Sequence, residues 1–351
     1  MPNRVRSHRR PGLAAIALAA AGALAAAWAL AAETSRLAVT IDEWAVPTPQ
    51  SRPHDPAVAP DGAAWYTGQR ANVLGRLDPA TGAIKEYRLP TERSGPHGLV
   101  ADAQGHIWYT GNSAAHVGRL DPATGKVTEY PMPDPRAKDP HTPIFDQAGR
   151  LWFTVQGGNF IGRLDPATGD VALREAPTPG SRPYGIVVNS KGVPYFDLFA
   201  TNKLGTIDPR TLAITEYPLP EGARPRRIAI TPDDLVWYTD YARGFVGRLD
   251  ATTGEVKEFA SPGGPTSKPY GIANVGAILW YSESGVEPNT MVRFDPATGD
   301  MQVWPIPSGG GVVRHMVAAP NGDIWIACSG VDKIGRVRVV DGATGGAAGA
   351  P

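Results

Sequence analysis

Three short markers recur in fixed order along the chain, and their period constrains the fold more than any other feature. A Pro-His or Pro-Tyr step comes first: RPHD (52–55), GPHG (95–98), DPHT (139–142), RPYG (182–185), RPRR (224–227), KPYG (268–271) and a weaker VRHM (313–316). An aromatic triplet follows: WYT (65–67), WYT (108–110), WFT (152–154), YFD (195–197), WYT (237–239), WYS (280–282) and WIA (325–327). A Gly-Arg element with a turn closes each unit, as GRLDPATG at 75, 118 and 162 and as variants at 205, 247, 292 and 335. Successive turn elements lie 42 to 45 residues apart, which makes seven units of a repeat architecture.

Each unit reads as four short strands. An apolar run such as GLVAD follows the Pro-His step, the aromatic triplet is a second strand, and GRLD is a third. In Asp-Pro-Ala-Thr-Gly, Pro sets φ, Asp bonds its own backbone and Gly takes the left-handed position. Segments such as KVTEYPMP alternate polar and apolar residues, as a half-exposed outer strand does. Four antiparallel strands per unit predict an all-β, seven-bladed propeller. The last unit runs out after its third strand, and LAVTIDEWAVP (37–47) is an outer strand with no unit before it. The N-terminal strand is therefore expected to complete the last blade, which removes an exposed sheet edge and makes 37–340 one domain.

The ends are different in kind. RVRSHRRP followed by the apolar run 13–32 reads as a secretory signal peptide over residues 1–32, with a retained anchor as the alternative. A periplasmic or secreted protein is expected. Residues 341–351 are low in complexity and are expected to be an unstructured tail. Lys+Arg and Asp+Glu are both 34, and this balance argues against nucleic acid or an anionic membrane surface as the main partner. The single cysteine, Cys328, excludes an internal disulfide and any multi-cysteine metal site. A closed ring with balanced charge suits a monomer.

Most of the repeat is explained by packing: the triplet Trp between blades, the Gly-Arg arginine in a structural contact. What remains is one face, where the loop into each inner strand and the loop after the triplet converge on a small opening. His54, His97, His141, Tyr184, Arg226, Tyr270 and His315 are expected at its mouth, lining a binding funnel for a small-molecule ligand. Each histidine has the plainer alternative of shaping its own loop. His54, His97 and His141 come from consecutive blades, so a Zn or Cu site is a further possibility. For chemistry, His315 on blade 7 and Glu283 on blade 6 offer an imidazole to take a proton and a carboxylate to orient it or hold a cation. No serine elbow, phosphate loop or dinucleotide fingerprint is present.

The unit PHGL…IWYTG…VGRLDPATGKVTEYPMP resembles the repeat of the virginiamycin B lyase (streptogramin lyase) family over nearly all of 37–340. The resemblance implies a lyase that opens a cyclic depsipeptide by eliminative cleavage of its ester C–O bond, helped by Mg2+. It places the general base at His315. The family's two glutamate positions are occupied here by the Ala327–Gly330 loop and Val313, and Tyr270 stands where a supporting histidine is expected. Streptogramin cleavage itself is therefore not expected. Two functions remain: a carbon–oxygen lyase acting on another cyclic ester or lactone, or a non-catalytic binding propeller for a metal, peptide or small ligand.

Overall fold

The computed structural model describes residues 37–340. The expected signal peptide, 1–32, and the expected tail, 341–351, lie outside the described residues. Residues Val39–Val339 form one compact unit. Its strands make seven four-stranded sheets, each antiparallel, and each later strand of a blade lies further from the centre. The inner strands are Pro53–Val58, Pro96–Ala101, Pro140–Phe145, Pro183–Val188, Pro225–Ile230, Pro269–Val275 and Val313–Ala318. The last blade takes its outer strand from the N-terminus, Ala38–Ala45, which lies against Lys333–Val340. Arg336 and Arg338 both donate to Asp42 across this seam, and Trp44 packs on Trp325 with ring centroids 5.7 Å apart.

The repeat markers have physical reasons. Trp65, Trp108, Trp152 and Trp237 are at most 2 % exposed and pack between blades. Trp108 stacks on Tyr130 of its own blade and meets Phe145 of the next edge-on. The Gly-Arg arginine lies over the triplet Trp, as Arg119 does over Trp108 and Arg163 over Trp152. The glycine before it is required by a close approach. A Cβ on Gly75 would sit 2.0 Å from the Tyr66 ring, the second member of the triplet. In the turn, Gly82 adopts φ 73° and donates to Asp78 O at 2.8 Å, while Asp78 Oδ1 accepts from Ala80 N.

Every inner strand carries one β-bulge immediately after its first residue. Pro53 pairs with Gly68 but Pro56 pairs with Tyr66, so His54 and Asp55 together face one residue, Thr67. That third triplet residue links neighbouring blades. Thr67 Oγ1 accepts from Asp55 N at 3.0 Å and donates to His97 O of blade 2 at 2.8 Å. Thr110, Thr154 and Thr239 repeat the link to His141, Tyr184 and Tyr270. In blade 4 the position is Asp197, and in blade 7 it is Ala327.

Candidate functional site

The bulge puts two consecutive residues of each inner strand at the channel, in two tiers. The first tier is His54, His97, His141, Tyr184, Arg226, Tyr270 and Arg314. The second is Asp55, Gly98, Thr142, Gly185, Arg227, Gly271 and His315. His315 is thus one residue deeper than the Pro-His step suggests. Val313 occupies the place of the proline, pairing with Cys328 as Pro53 pairs with Gly68. Val312 before it has φ 77°, matching Arg52 at 53° and Lys268 at 49°. The side chain equivalent to His54 is Arg314.

The first tier forms a stacked floor and not an open rim. Ring centroids lie 3.8 Å apart for His54–His97, 3.7 Å for His97–His141 and 3.9 Å for His141–Tyr184. All five aromatic members are at most 4 % exposed. Tyr184 Oη and Tyr270 Oη share a hydrogen bond at 2.5 Å. Burial opposes ionisation of Tyr270, but Arg226, Arg227 and Arg314 outweigh it and lower its pKa. Arg226 lies on four rings, with its guanidinium carbon 4.3 Å from the centroid of Tyr270, 4.4 Å from Phe199, 4.5 Å from Tyr241 and 5.2 Å from Tyr184.

Arg227 closes the centre below. It is 1 % exposed and reaches three other blades: Nη2 donates to Asp55 Oδ1 at 2.8 Å, Nη1 to Thr142 Oγ1 at 2.8 Å, and Nε to Arg314 O at 3.1 Å. Asp55 also takes His54 Nδ1 at 2.8 Å. Burial alone would raise the Asp55 carboxyl, but Arg227, His315 and His54 hold it far below the usual range. The imidazoles of His54, His97, His141 and His315 are all lowered below their ordinary range. Burial brings His54 down to about 4 despite Asp55, and burial with Arg227 brings His315 down to about 3. His97 and His141 are lowered well below 6.5, chiefly by burial.

This floor separates two recesses. On the loop side, Arg314 joins Gln50, Arg52, Arg70, Ser329 and Asp332 around a recess of about 290 Å3. On the other side, His315 and Thr142 end an apolar cavity of about 320 Å3 walled by the far halves of the inner strands, among them Val58, Val100, Ile144, Val188 and Ile230. His315 Nδ1 is buried there without a partner.

Glu283 and His315 are not brought together. Glu283 is 1 % exposed, and its oxygens accept from Ser261 Oγ at 2.5 Å, Gly263 N at 2.6 Å and Thr290 Oγ1 at 2.7 Å. It caps the loop between blades 5 and 6. The charged and ionisable groups that act on His315 are Arg227, Asp55 and His54.

The donors present do not fit Mg2+, which takes oxygen ligands. Glu283 is buried and held by three hydrogen bonds, and Asp332 is engaged by the backbone N–H groups of Gln50 at 2.6 Å and Arg52 at 2.9 Å. Guanidiniums face the recess instead. His54, Asp55 and His97 offer ligand atoms within 4.8 Å of one another; Asp55 Oδ1 accepts from His54 and Arg227, while Asp55 Oδ2 and His97 Nδ1 are buried without a partner.

Several residues of the site were not marked by the repeat. Asp55, Thr142 and Arg227 follow the Pro-His step directly, and Phe199 and Tyr241 begin the loop after the triplet. Asp139, at the mouth of blade 3, has its carboxyl pushed up to about 6 by burial, against the pull of Arg182.

Comparison with known proteins agrees with this architecture. The model of the virginiamycin B lyase family matches residues 8–198 and 195–345. A solved streptogramin B lyase is 29 % identical with TM-score 0.79, covering 86 % of this chain and 98 % of its own. Virginiamycin B lyase from Staphylococcus aureus is 28 % identical with TM-score 0.78, covering 86 % and 100 %. A catalytically inactive histidine-to-alanine form of the S. aureus enzyme, solved with quinupristin, is 27 % identical with TM-score 0.77, over the same 86 % and 100 %. No curated protein sequence matches the chain significantly. By the family match over most of its length, and by seven blades closed through the N-terminal strand, the chain belongs to the virginiamycin B lyase family.

Proposed function

We propose that this protein is an exported binding propeller that takes a small molecule in the loop-side recess, and that it does not open cyclic depsipeptides. One observation carries this: Arg314 lines the recess, whereas His315 lines the cavity on the other side of the floor. A substrate in the recess meets the stacked floor before it reaches that imidazole. With its pKa lowered to about 3, His315 is also a weak base at neutral pH. The signal-like leader supports export. Among the described residues, no helix is long and apolar enough to cross a membrane.

The test is incubation with a panel of cyclic esters and lactones, including quinupristin. Eliminative opening leaves the mass unchanged and adds a carbon–carbon double bond, so products are followed by chromatographic retention and ultraviolet absorbance. No conversion above a protein-free blank is expected. Conversion that His315→Ala abolishes would overturn the proposal. A second reading, lyase chemistry on an apolar lactone, is favoured only by the unpartnered His315 Nδ1 at the end of the far-side cavity. That same conversion assay decides it.

A further inference from the structure

We infer that the ligand of the loop-side recess is a small molecule bearing an oxyanion, a carboxylate or a phosphate, seated on Arg52, Arg70 and Arg314 between blades 7 and 1. This inference rests on the binding function proposed above and names the chemistry of that site.

The recess of about 290 Å3 is lined by three guanidiniums and one carboxylate. That carboxylate, Asp332, spends its two oxygens on the backbone amides of Gln50 and Arg52, where it holds the closing seam. Asp332 is the single counter-charge among these three arginines, so the lining keeps an excess of positive charge. Burial, then Arg314, then Arg70 push the Arg52 guanidinium below its ordinary pKa, so the like charges act on one another across this space. Arg314 Nε is buried with no partner. Its backbone carbonyl is taken by Arg227, which fixes the strand while leaving the fork of donors free.

The chain as a whole is neutral, so this concentration of positive charge is local. A planar guanidinium pairs with carboxylate or phosphate through two parallel hydrogen bonds, and several converging forks suit one oxyanion better than a neutral molecule. On the floor, in blade 5, Arg226 has its Nε buried and unpartnered too, within its cage of aromatic rings. A second recess of about 390 Å3 shares Arg70 and adds Arg88, Arg93 and Glu92, which gives room for the remainder of the ligand. The geometry is a recess that is cationic at the seam of blades 7 and 1.

The test uses the full chain and three probes: citrate, inorganic phosphate, and triethyl citrate as the uncharged counterpart of citrate. Calorimetric titration and thermal unfolding are measured at low salt. Citrate or phosphate is expected to bind and raise Tm, whichever is the better of the two naming the oxyanion, and binding should weaken as salt rises. Arg52→Gln and Arg314→Gln are each expected to weaken binding at least tenfold. Arg210→Gln, which removes an equal charge from an exposed outer turn, should leave it unchanged within twofold. Unliganded Tm values confirm that each variant is folded. Triethyl citrate binding as well as citrate, or undiminished citrate binding in both recess variants, would overturn the oxyanion assignment alone. Failure of citrate and phosphate to bind would overturn it as well. If that failure is accompanied by conversion of a cyclic ester, the binding function falls too.

Discussion

Arg227 of blade 5 and Asp55 of blade 1 meet across the centre of the ring at 2.8 Å, the arginine 1 % exposed and the aspartate fully buried. No bond of the sheets joins these two strands. The pair, with the bonds of Arg227 to Thr142 and Arg314 O, ties four blades through the middle of the channel.

Removing one partner strands the other charge in a dry interior. Arg227→Met should destabilise the fold by about 3–5 kcal/mol. Adding Asp55→Asn should recover part of that loss, because the uncompensated carboxylate is gone. Urea unfolding of the two single variants and the double variant gives the coupling. Additive losses would show that the two residues do not stabilise each other.

The neutral imidazoles make stability fall with acid. An unfolded histidine takes a proton near 6.5, whereas His54 resists to about 4 and His315 to about 3, with His97 and His141 also well below 6.5. Between these values the unfolded chain binds protons that the folded chain does not. Their contribution to stability is complete above pH 6.5 and is lost as pH falls through the window, at up to about 1.4 kcal/mol per pH unit for each group. Asp139 and Asp197, both raised, act in the opposite direction for one proton each. His116 is also lowered by burial, so five imidazoles stand against two carboxyls and the net slope should remain positive, up to about three protons. Unfolding free energies from pH 7.5 to 4.5 measure it, and His97→Phe should make the slope shallower. A flat profile would mean the imidazoles are solvated.

Asp197 occupies the place where four blades have a threonine linking to the next blade. Its Oδ2 accepts from Gly185 N at 3.0 Å, but Oδ1 is buried without a partner. Burial pushes this carboxyl well above its usual range. A hydroxyl there would accept and donate without ionising. Asp197→Thr should therefore stabilise the protein by about 1 kcal/mol at pH 8, and by less at pH 4, where the carboxyl is already protonated. Thermal unfolding at the two pH values checks this, and a lower Tm at pH 8 would contradict it.

The repeat made the ring, its closure by 37–47, the Trp packing and the Asp-Pro turns legible, because each depends on local patterning that recurs seven times. The site was less legible, and two residues show why. A bulge turns adjacent residues toward opposite sides of one floor, so a slip of one position exchanges Arg314 for His315. The VRHM segment lacks the proline that marks the register elsewhere, and only the pairing of Val313 with Cys328 settles it. Glu283 looked available because it is acidic and lies beside a polar loop. Its burial, and the three donors around it, are long-range facts that no local motif carries.

Arg314 and His315 are neighbours in sequence and line recesses on opposite sides of the floor, so together they offer the most direct test. Citrate affinity by calorimetric titration should be compared in Arg314→Gln and His315→Ala. The expected result is a loss of at least tenfold in the first and a change within twofold in the second. Citrate binding lost in His315→Ala and kept in Arg314→Gln would contradict the assignment of the ligand to the loop side of the floor.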